Sequence, residues 1–374
     1  MQLNIPDDVI NFGAGLPGVN LLPRNLMAQA AEHRLRQKQG ALSLQYGAEA
    51  GDGYFQIALA QFLSQGYQMP VEPDDLFTTN GVSQALDAIC KFYTKPGDTI
   101  FIEEPTYFLA LNIFRDYLLN IISIPIDHNG LIIEALEEKL KEHKPAFLYT
   151  IPTFHNPTSV TLSDERRQAL VQLSNKHGFL IVADEVYQLL HFGKPPPPSL
   201  VSYDQAGTVI SMGSFSKILA PGLRLGWVHV RNRHLLAPFF KWGQIESGGG
   251  LNPLVSGLVR SAIELGLQDQ YLTHLKTVYG RHAAALSAAL RQHLPTDFTF
   301  TEPQGGFFIW LRLPDGLEAE TLLSRAAAYN VTFKPGPSFS CNGGLQQYAR
   351  FCFSFYKTKQ LIEGVERLAK AISA

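Results

Sequence analysis

The run Gly213-Ser214-Phe215-Ser216-Lys217-Ile218-Leu219-Ala220-Pro221-Gly222-Leu223-Arg224-Leu225-Gly226-Trp227 follows directly on a short apolar run, Thr208-Val209-Ile210-Ser211-Met212. The apolar run reads as a buried strand that Gly213 ends. Beyond it, Ser214, Ser216, Lys217 and Arg224 fall within eleven residues. A lysine amine bonds an aldehyde carbon, while seryl hydroxyls and a guanidinium can hold a phosphate dianion. The set therefore suits a phosphorylated aldehyde gripped at both ends. A surface loop with a solvated lysine is the competing reading, and the stretch alone does not choose.

Outward from this run, strands and helices take turns. Leu76-Phe77-Thr78-Thr79 reads as a strand, Asn80-Gly81 as a turn, and Val82-Ser83-Gln84-Ala85 as the opening of a helix. Free amides there, with the Ser83 hydroxyl, make either an anion site or a simple helix cap. Further strands are read at Thr99–Ile102, Ile121–Ile124 and Ala146–Thr150, with helical patterns at 54–65, 107–118 and 132–143 between them. That alternation predicts an α/β architecture with a largely parallel sheet and ligand groups at the carboxyl ends of strands. Two more strand ends then stand out. One leads into Thr153-Phe154-His155-Asn156-Pro157-Thr158; the other, Leu180-Ile181-Val182-Ala183-Asp184, ends on a carboxylate that needs a partner if buried. Asp184 is either a structural ion pair or a functional group.

The four prolines at 195–198 read as a stiff surface connection, and Ser247-Gly248-Gly249-Gly250 as a flexible segment near a ligand or a neighbouring subunit. From Leu272 to His293 an alanine-rich helical pattern links two lobes. Past it the texture becomes α+β, with strands expected at Phe298–Thr301, Gly306–Leu311 and Tyr348–Phe355. Residues 26–275 are assigned to a large lobe, and residues 1–25 with 276–374 to a smaller one. On the last strand Arg350 alternates away from Phe351, Phe353 and Phe355, so it faces either solvent or the cleft between the lobes.

Composition narrows the class. A chain of 374 residues with 45% hydrophobic and 17% charged residues is long and apolar enough for a sizeable core. A net charge of −2 gives no electrostatic case for nucleic acid or an anionic membrane. Three scattered cysteines argue against a disulfide framework and for a cytoplasmic setting. Neither a signal peptide in the first eight residues nor a membrane-spanning run is read, and no metal site is expected.

Taken together the residues resemble the class I and II aminotransferases, fold-type I enzymes that use pyridoxal 5′-phosphate. The resemblance runs from Gly13-Ala14-Gly15-Leu16-Pro17 to Arg350 and rests on Asn156-Pro157-Thr158, Asp184-Glu185-Val186-Tyr187 and Ser214-Phe215-Ser216-Lys217 with Arg224. It looks closest to the 2-aminoadipate, kynurenine and aromatic aminotransferases. It implies a large domain with a mainly parallel seven-stranded sheet flanked by helices, plus a smaller α+β domain. It also implies that Lys217 carries the cofactor as an imine and later moves a proton, that Asp184 pairs with the ring nitrogen, and that Tyr187 and Asn156 bond the phenolic oxygen. Tyr107 would stack on the ring. Ser83, Gln84, Ser214, Ser216 and Arg224 would hold the phosphate, with Tyr46 reaching it from the other subunit of a homodimer. Gly15, Asn156 and Arg350 would receive the substrate carboxylate. The implied reaction is ping-pong transfer between an L-amino acid and a 2-oxo acid. A decarboxylase, β-lyase or oxidase on the same fold is the alternative, and a ligand-sensing domain a further one. Ser159 stands where the family commonly has glycine, bulkier polar residues are common at the position of Gly248–Gly250, and any substrate-covering N-terminal helix is expected to be short or absent.

Overall fold

Period-two alternation in the strands sorts their side chains into two separate cores. Ile100, Ile102, Phe147, Tyr149, Val182, Ile210 and Met212 belong to one. Phe101, Leu148, Ile181, Ala183 and Val209 belong to the other. A sheet apolar on both faces must be covered on both, which is the condition for a buried parallel sheet. The computed structural model describes residues 5–373. Residues 1–4 and 374, the outer ends of the expected smaller lobe and half of the stretch on which the signal-peptide reading rested, lie outside those described.

The strands are β1 (Ile10–Asn11), β2 (Leu76–Thr79), β3 (Thr99–Glu104), β4 (Asn120–Asp127), β5 (Gly130–Leu131), β6 (Phe147–Thr150), β7 (Leu180–Asp184), β8 (Val209–Ser214), β9 (Gly226–His229), β10 (Phe308–Arg312), β11 (Val331–Thr332), β12 (Lys334–Pro335) and β13 (Tyr348–Cys352). The large sheet runs β2-β9-β8-β7-β6-β3-β4-β5. From β8 to β4 all neighbours are parallel, and β9 runs against both β8 and β2. Six of these strands are the ones read in the sequence; β9, not read there, makes the seventh that the resemblance implies, and the two-residue β5 adds an eighth at the edge, antiparallel to β4.

Local chemistry sets the helix ends. Helices α1 (Arg24–Arg36), α2 (Gly53–Tyr67), α3 (Val82–Tyr93), α4 (Phe108–Asp116), α5 (Ile133–Glu142) and α6 (Asp164–His177) are formed by the first half of the chain. Asp52 caps α2 by accepting from the Phe55 amide at 2.7 Å, and Ser163 caps α6 by accepting from the Arg166 amide. Gly178, at φ 72°, ends α6 in the left-handed conformation that favours glycine. The long helix Leu267–His293 buries Leu272, Leu275, Tyr279, Ala283, Leu286 and Leu290, one stripe at helical spacing.

A second, antiparallel sheet, β10-β13-β12, carries Arg350, and the parallel pair β1-β11 ties the N-terminal segment to residues 331–332. Three sequence expectations need correction. Gly213 does not end β8, which continues to Ser214. Phe298–Thr301 is not a strand: only Thr299 bridges Arg312, between Pro295 and Pro303, and proline has no amide with which to extend a ladder. The proline run is more than a surface connection. The carbonyls of Pro197 and Pro198 accept from Gln188 Nε2 at 2.8 Å and from the buried Arg167 at 2.9 Å.

Candidate active site

The carboxyl ends of β2, β6, β7 and β8 open on one cavity of about 310 Å³. Lys217 is lifted off the end of β8 by the single turn Phe215–Ile218, which the Ser214 hydroxyl caps by accepting from the Ser216 amide at 3.1 Å. Its Nζ donates to the Gly15 carbonyl at 3.2 Å and stands 5.3 Å from the centre of the Phe307 ring. Burial pushes this ammonium down to about 8; the Arg350 charge adds to the fall, while Cys352 and Asp184 oppose it.

Asp184, the last residue of β7, is buried and points to the same sheet face as Tyr149. The Tyr149 hydroxyl donates to Asp184 Oδ2 at 2.8 Å, and Oδ1 has no partner. Burial pushes the carboxyl up to about 6, against the Tyr149 hydrogen bond and the Lys217 charge, which lower it. One residue out of phase, Glu103 faces the other side and accepts from Thr150 Oγ1 and the Ile151 amide, both at 2.8 Å.

On the far wall the Arg350 guanidinium donates to Asn156 Oδ1 and to the Gly13 carbonyl, both at 2.9 Å, and stacks 4.2 Å from the Phe308 ring. It is buried, its Nε is unpaired, and burial lowers its pKa. A Cβ on Gly15 would come within 3.2 Å of Phe308 and 3.5 Å of Arg350, which keeps this position clear. Tyr187 packs edge-on against Phe307 and Phe308, and burial raises its hydroxyl well above the ordinary phenol range. Tyr107 lines the cavity with its hydroxyl pushed up to about 12 by burial.

At the remaining end Gly81, at φ 83°, turns the chain into α3 and brings the helix N-terminus beside Arg224. A Cβ on Gly81 would lie 2.9 Å from Arg224 Nη2. Arg224, itself left-handed at φ 46°, has Nη1 3.5 Å from Ser216 Oγ and donates from Nη2 to the Asn80 carbonyl at 3.3 Å. Eleven of the residues singled out in the sequence thus meet at one cavity: Gly15, Ser83, Tyr107, Asn156, Asp184, Tyr187, Ser214, Ser216, Lys217, Arg224 and Arg350. Two do not line it. The Gln84 side chain folds back to accept from the Asn80 amide at 2.7 Å, leaving only its main-chain amide in the first turn of α3. Tyr46 is 81% exposed on the outer surface. Sequence reasoning missed Tyr149, Phe308 and Gly13. For Tyr149 the signal was present, because it shares the period-two phase of Asp184 on an adjacent strand.

The family model for aminotransferase class I and II matches residues 7–368. The chain belongs to that family. It is a pyridoxal 5′-phosphate-dependent aminotransferase of the fold-type I architecture. It is 33% identical to aromatic-amino-acid aminotransferase 1 of Thermococcus litoralis, over all of this chain and 90% of that one. To 2-aminoadipate transaminase of Thermus thermophilus it is 34% identical, over all of this chain and 92% of that one. Among solved structures it superposes on the alpha-aminoadipate aminotransferase of Thermus thermophilus, complexed with N-(5′-phosphopyridoxyl)-L-leucine, with a TM-score of 0.89. That match has 33% identity and covers 98% of this chain and 92% of that one.

Three features of the cavity fit this cofactor. Asp184 Oδ1 is a buried acceptor without a donor, the Lys217 amine is held near neutrality, and α3 presents its unpaired first amides beside Arg224.

Proposed function

We propose that the cavity moves an amino group between an L-amino acid with a large side chain, aromatic or aminoadipate-like, and a 2-oxo acid by a ping-pong mechanism. The observation that carries this reading is the meeting of Lys217 Nζ, the unpartnered Asp184 oxygen and the Arg350–Asn156 pair at one cavity. When bound, the cofactor supplies an aldehyde carbon that bonds the amino group and a ring that takes up the electron pair left at Cα. Every other duty falls to the chain. Lys217, with a pKa near 8, gives and takes the proton at Cα and at the cofactor carbon C4′. Asp184 holds a proton on the ring nitrogen, and Tyr149 holds Asp184 in place. Asn156, whose Oδ1 is engaged by Arg350, is left to donate from Nδ2 to the phenolic oxygen beside Tyr187. Tyr107 covers the ring face. Ser83, Ser214, Ser216, Arg224 and the Gln84 amide hold the phosphate. Arg350 receives the α-carboxylate, with Gly15 leaving room for it.

The same reading makes the molecule a homodimer of two-lobed subunits, with a lobe boundary near residue 275. Tyr46 lies beside Leu42 and Leu44, which are 61% and 68% exposed, an apolar surface that a second copy would cover. Tyr46 would then complete the partner's phosphate site. Three unpaired thiols support a reducing, cytoplasmic setting. No helix among the described residues is long and apolar enough to cross a membrane.

The test is a matrix of amino donors against 2-oxo acid acceptors on the purified protein. Matched formation of a new amino acid and a new 2-oxo acid, best with large side chains, is the expected result. Release of carbon dioxide, ammonia or hydrogen peroxide in place of amino transfer would overturn the reading.

A further inference from the structure

Lys334 on β12 pairs directly with Arg350 on β13, so the two side chains leave the same face of the second sheet. Its ammonium lies 4.7 Å from the centre of the Phe108 ring, and the Arg350 guanidinium carbon lies 6.0 Å from the same ring. Phe108 is itself part of the cavity wall. Two like charges placed opposite one another on a sheet repel. Lys334 has no carboxylate within 4.0 Å among the described residues to offset this.

The charges around the cavity make the position unusual. Lys217, Arg224 and Arg350 line it against one carboxylate, Asp184. In the proposed reading Arg224 answers the phosphate, Arg350 the substrate α-carboxylate, and Lys217 becomes bonded to the cofactor. Lys334 does not itself line the cavity; it stands over Phe108, which does, and is a further cation without an anion among the described residues.

We propose that Lys334 determines specificity for substrates with a second carboxylate, its ammonium taking the distal carboxylate of a dicarboxylic amino or 2-oxo acid whose α-carboxylate rests on Arg350. Both cations stand against one ring, so their separation cannot exceed the 6.0 Å and 4.7 Å taken end to end. The terminal carbons of an extended five-carbon diacid are about 5 Å apart. Each charged hydrogen bond adds about 3 Å, which leaves less than about 5 Å between the terminal carbons, so a four-carbon diacid bridges the pair when extended and a five-carbon one when bent. A flexible, strongly hydrated ammonium over the Phe108 ring also lets an aromatic side chain pass, where a fixed guanidinium fork would bind the diacid more rigidly. The inference rests on the assignment of Arg350 to the α-carboxylate.

The test compares the cofactor-loaded wild type with Lys334→Met and Lys334→Arg, using glutarate and valerate as inhibitors that share five carbons and differ by one carboxylate. In Lys334→Met the preference for glutarate over valerate is expected to fall on the order of 10–100-fold, the value of one charge-assisted bond. Lys334→Arg is expected to keep most of it. The ratio of kcat/KM for glutamate to that for phenylalanine should fall in parallel. Valerate inhibition in the same variants reports that the site is still folded. An unchanged glutarate preference in Lys334→Met, or a loss that Lys334→Arg shares in full, overturns the proposal. If instead Arg350→Met leaves inhibition by both acids unchanged, the α-carboxylate assignment fails, a result that can be told apart from failure of the role of Lys334.

Discussion

Two titratable groups at the cavity carry burial costs of opposite sign. Lys217 sits near 8 because an ammonium loses solvation there, so its amine is neutral and nucleophilic at a lower pH than a surface lysine. Covalent capture of added cofactor by the cofactor-free protein is therefore expected to rise with a midpoint near pH 8. A midpoint above 10 would show an ordinary solvated lysine. Asp184 sits near 6 against an ordinary 3.8. The cofactor-free fold binds that proton more tightly than the unfolded chain does. Its stabilising contribution is complete below 3.8 and disappears as pH rises through 6. Asp184→Asn should flatten the decline in melting temperature over that window in cofactor-free protein. The same variant should turn over at least about 100-fold more slowly, because the ring then lacks the carboxylate that holds its proton. Equal slopes for both proteins would remove the buried carboxylate from the account.

Among the elements, the strand ends depend on packing behind them. Gly213 is needed because the Trp227 indole occupies the place of its side chain: a Cβ would lie 2.2 Å from the ring. Gly213→Ala should cost about 1–3 kcal/mol of stability by overpacking, read as a lower melting temperature, and should displace Ser214 and Lys217. Arg167 on α6 is fully buried and donates to the carbonyls of Pro152, Leu162 and Pro198 and to Thr153 Oγ1, with Glu185 3.9 Å away. Arg167→Leu should cost about 3–5 kcal/mol, since it removes the cation beside the buried Glu185 carboxylate and frees the loop that carries Asn156. A urea titration reads the loss. The succession of six strands along the chain and the placing of Asp184, Asn156 and Lys217 at their ends were legible because period-two alternation and turn residues are local signals, whereas β9 and the order of strands across the sheet were not. What lies across space was not. Neither the spacing of Phe298–Thr301 nor its composition shows that Arg312 bridges it only once, and nothing local says that a run of prolines accepts hydrogen bonds from Arg167. Ser159, in place of glycine, adopts φ 60° and donates to the Phe308 carbonyl at 2.5 Å, a contact between residues 149 positions apart. The Gly248–Gly250 stretch, read as flexible, instead packs on the loop that carries Tyr46. Gly250 donates to the Gly47 carbonyl at 3.0 Å, and a Cβ on it would fall 1.7 Å from the Ala48 oxygen.

At the scale of the molecule, the proposed dimer explains why Tyr46 lies outside its own cavity while a tight glycine contact holds its loop. If Tyr46 acts across the interface, Lys217→Ala and Tyr46→Phe chains mixed as a heterodimer contain one intact site. That heterodimer should bind cofactor at one site with wild-type affinity, whereas the Tyr46→Phe homodimer binds it more weakly. No recovery in the mixed species would place Tyr46 in its own subunit or outside the site. Three strand ends meet at the cavity in which transamination is proposed to run. The most direct measurement is a single half-reaction: cofactor-loaded protein is mixed with excess amino acid and no acceptor, and released products are counted per subunit. One equivalent of the matching 2-oxo acid from the wild type, and none from Lys217→Ala, is the result expected. Carbon dioxide or ammonia in its place, or an equal yield of 2-oxo acid from Lys217→Ala, would contradict it.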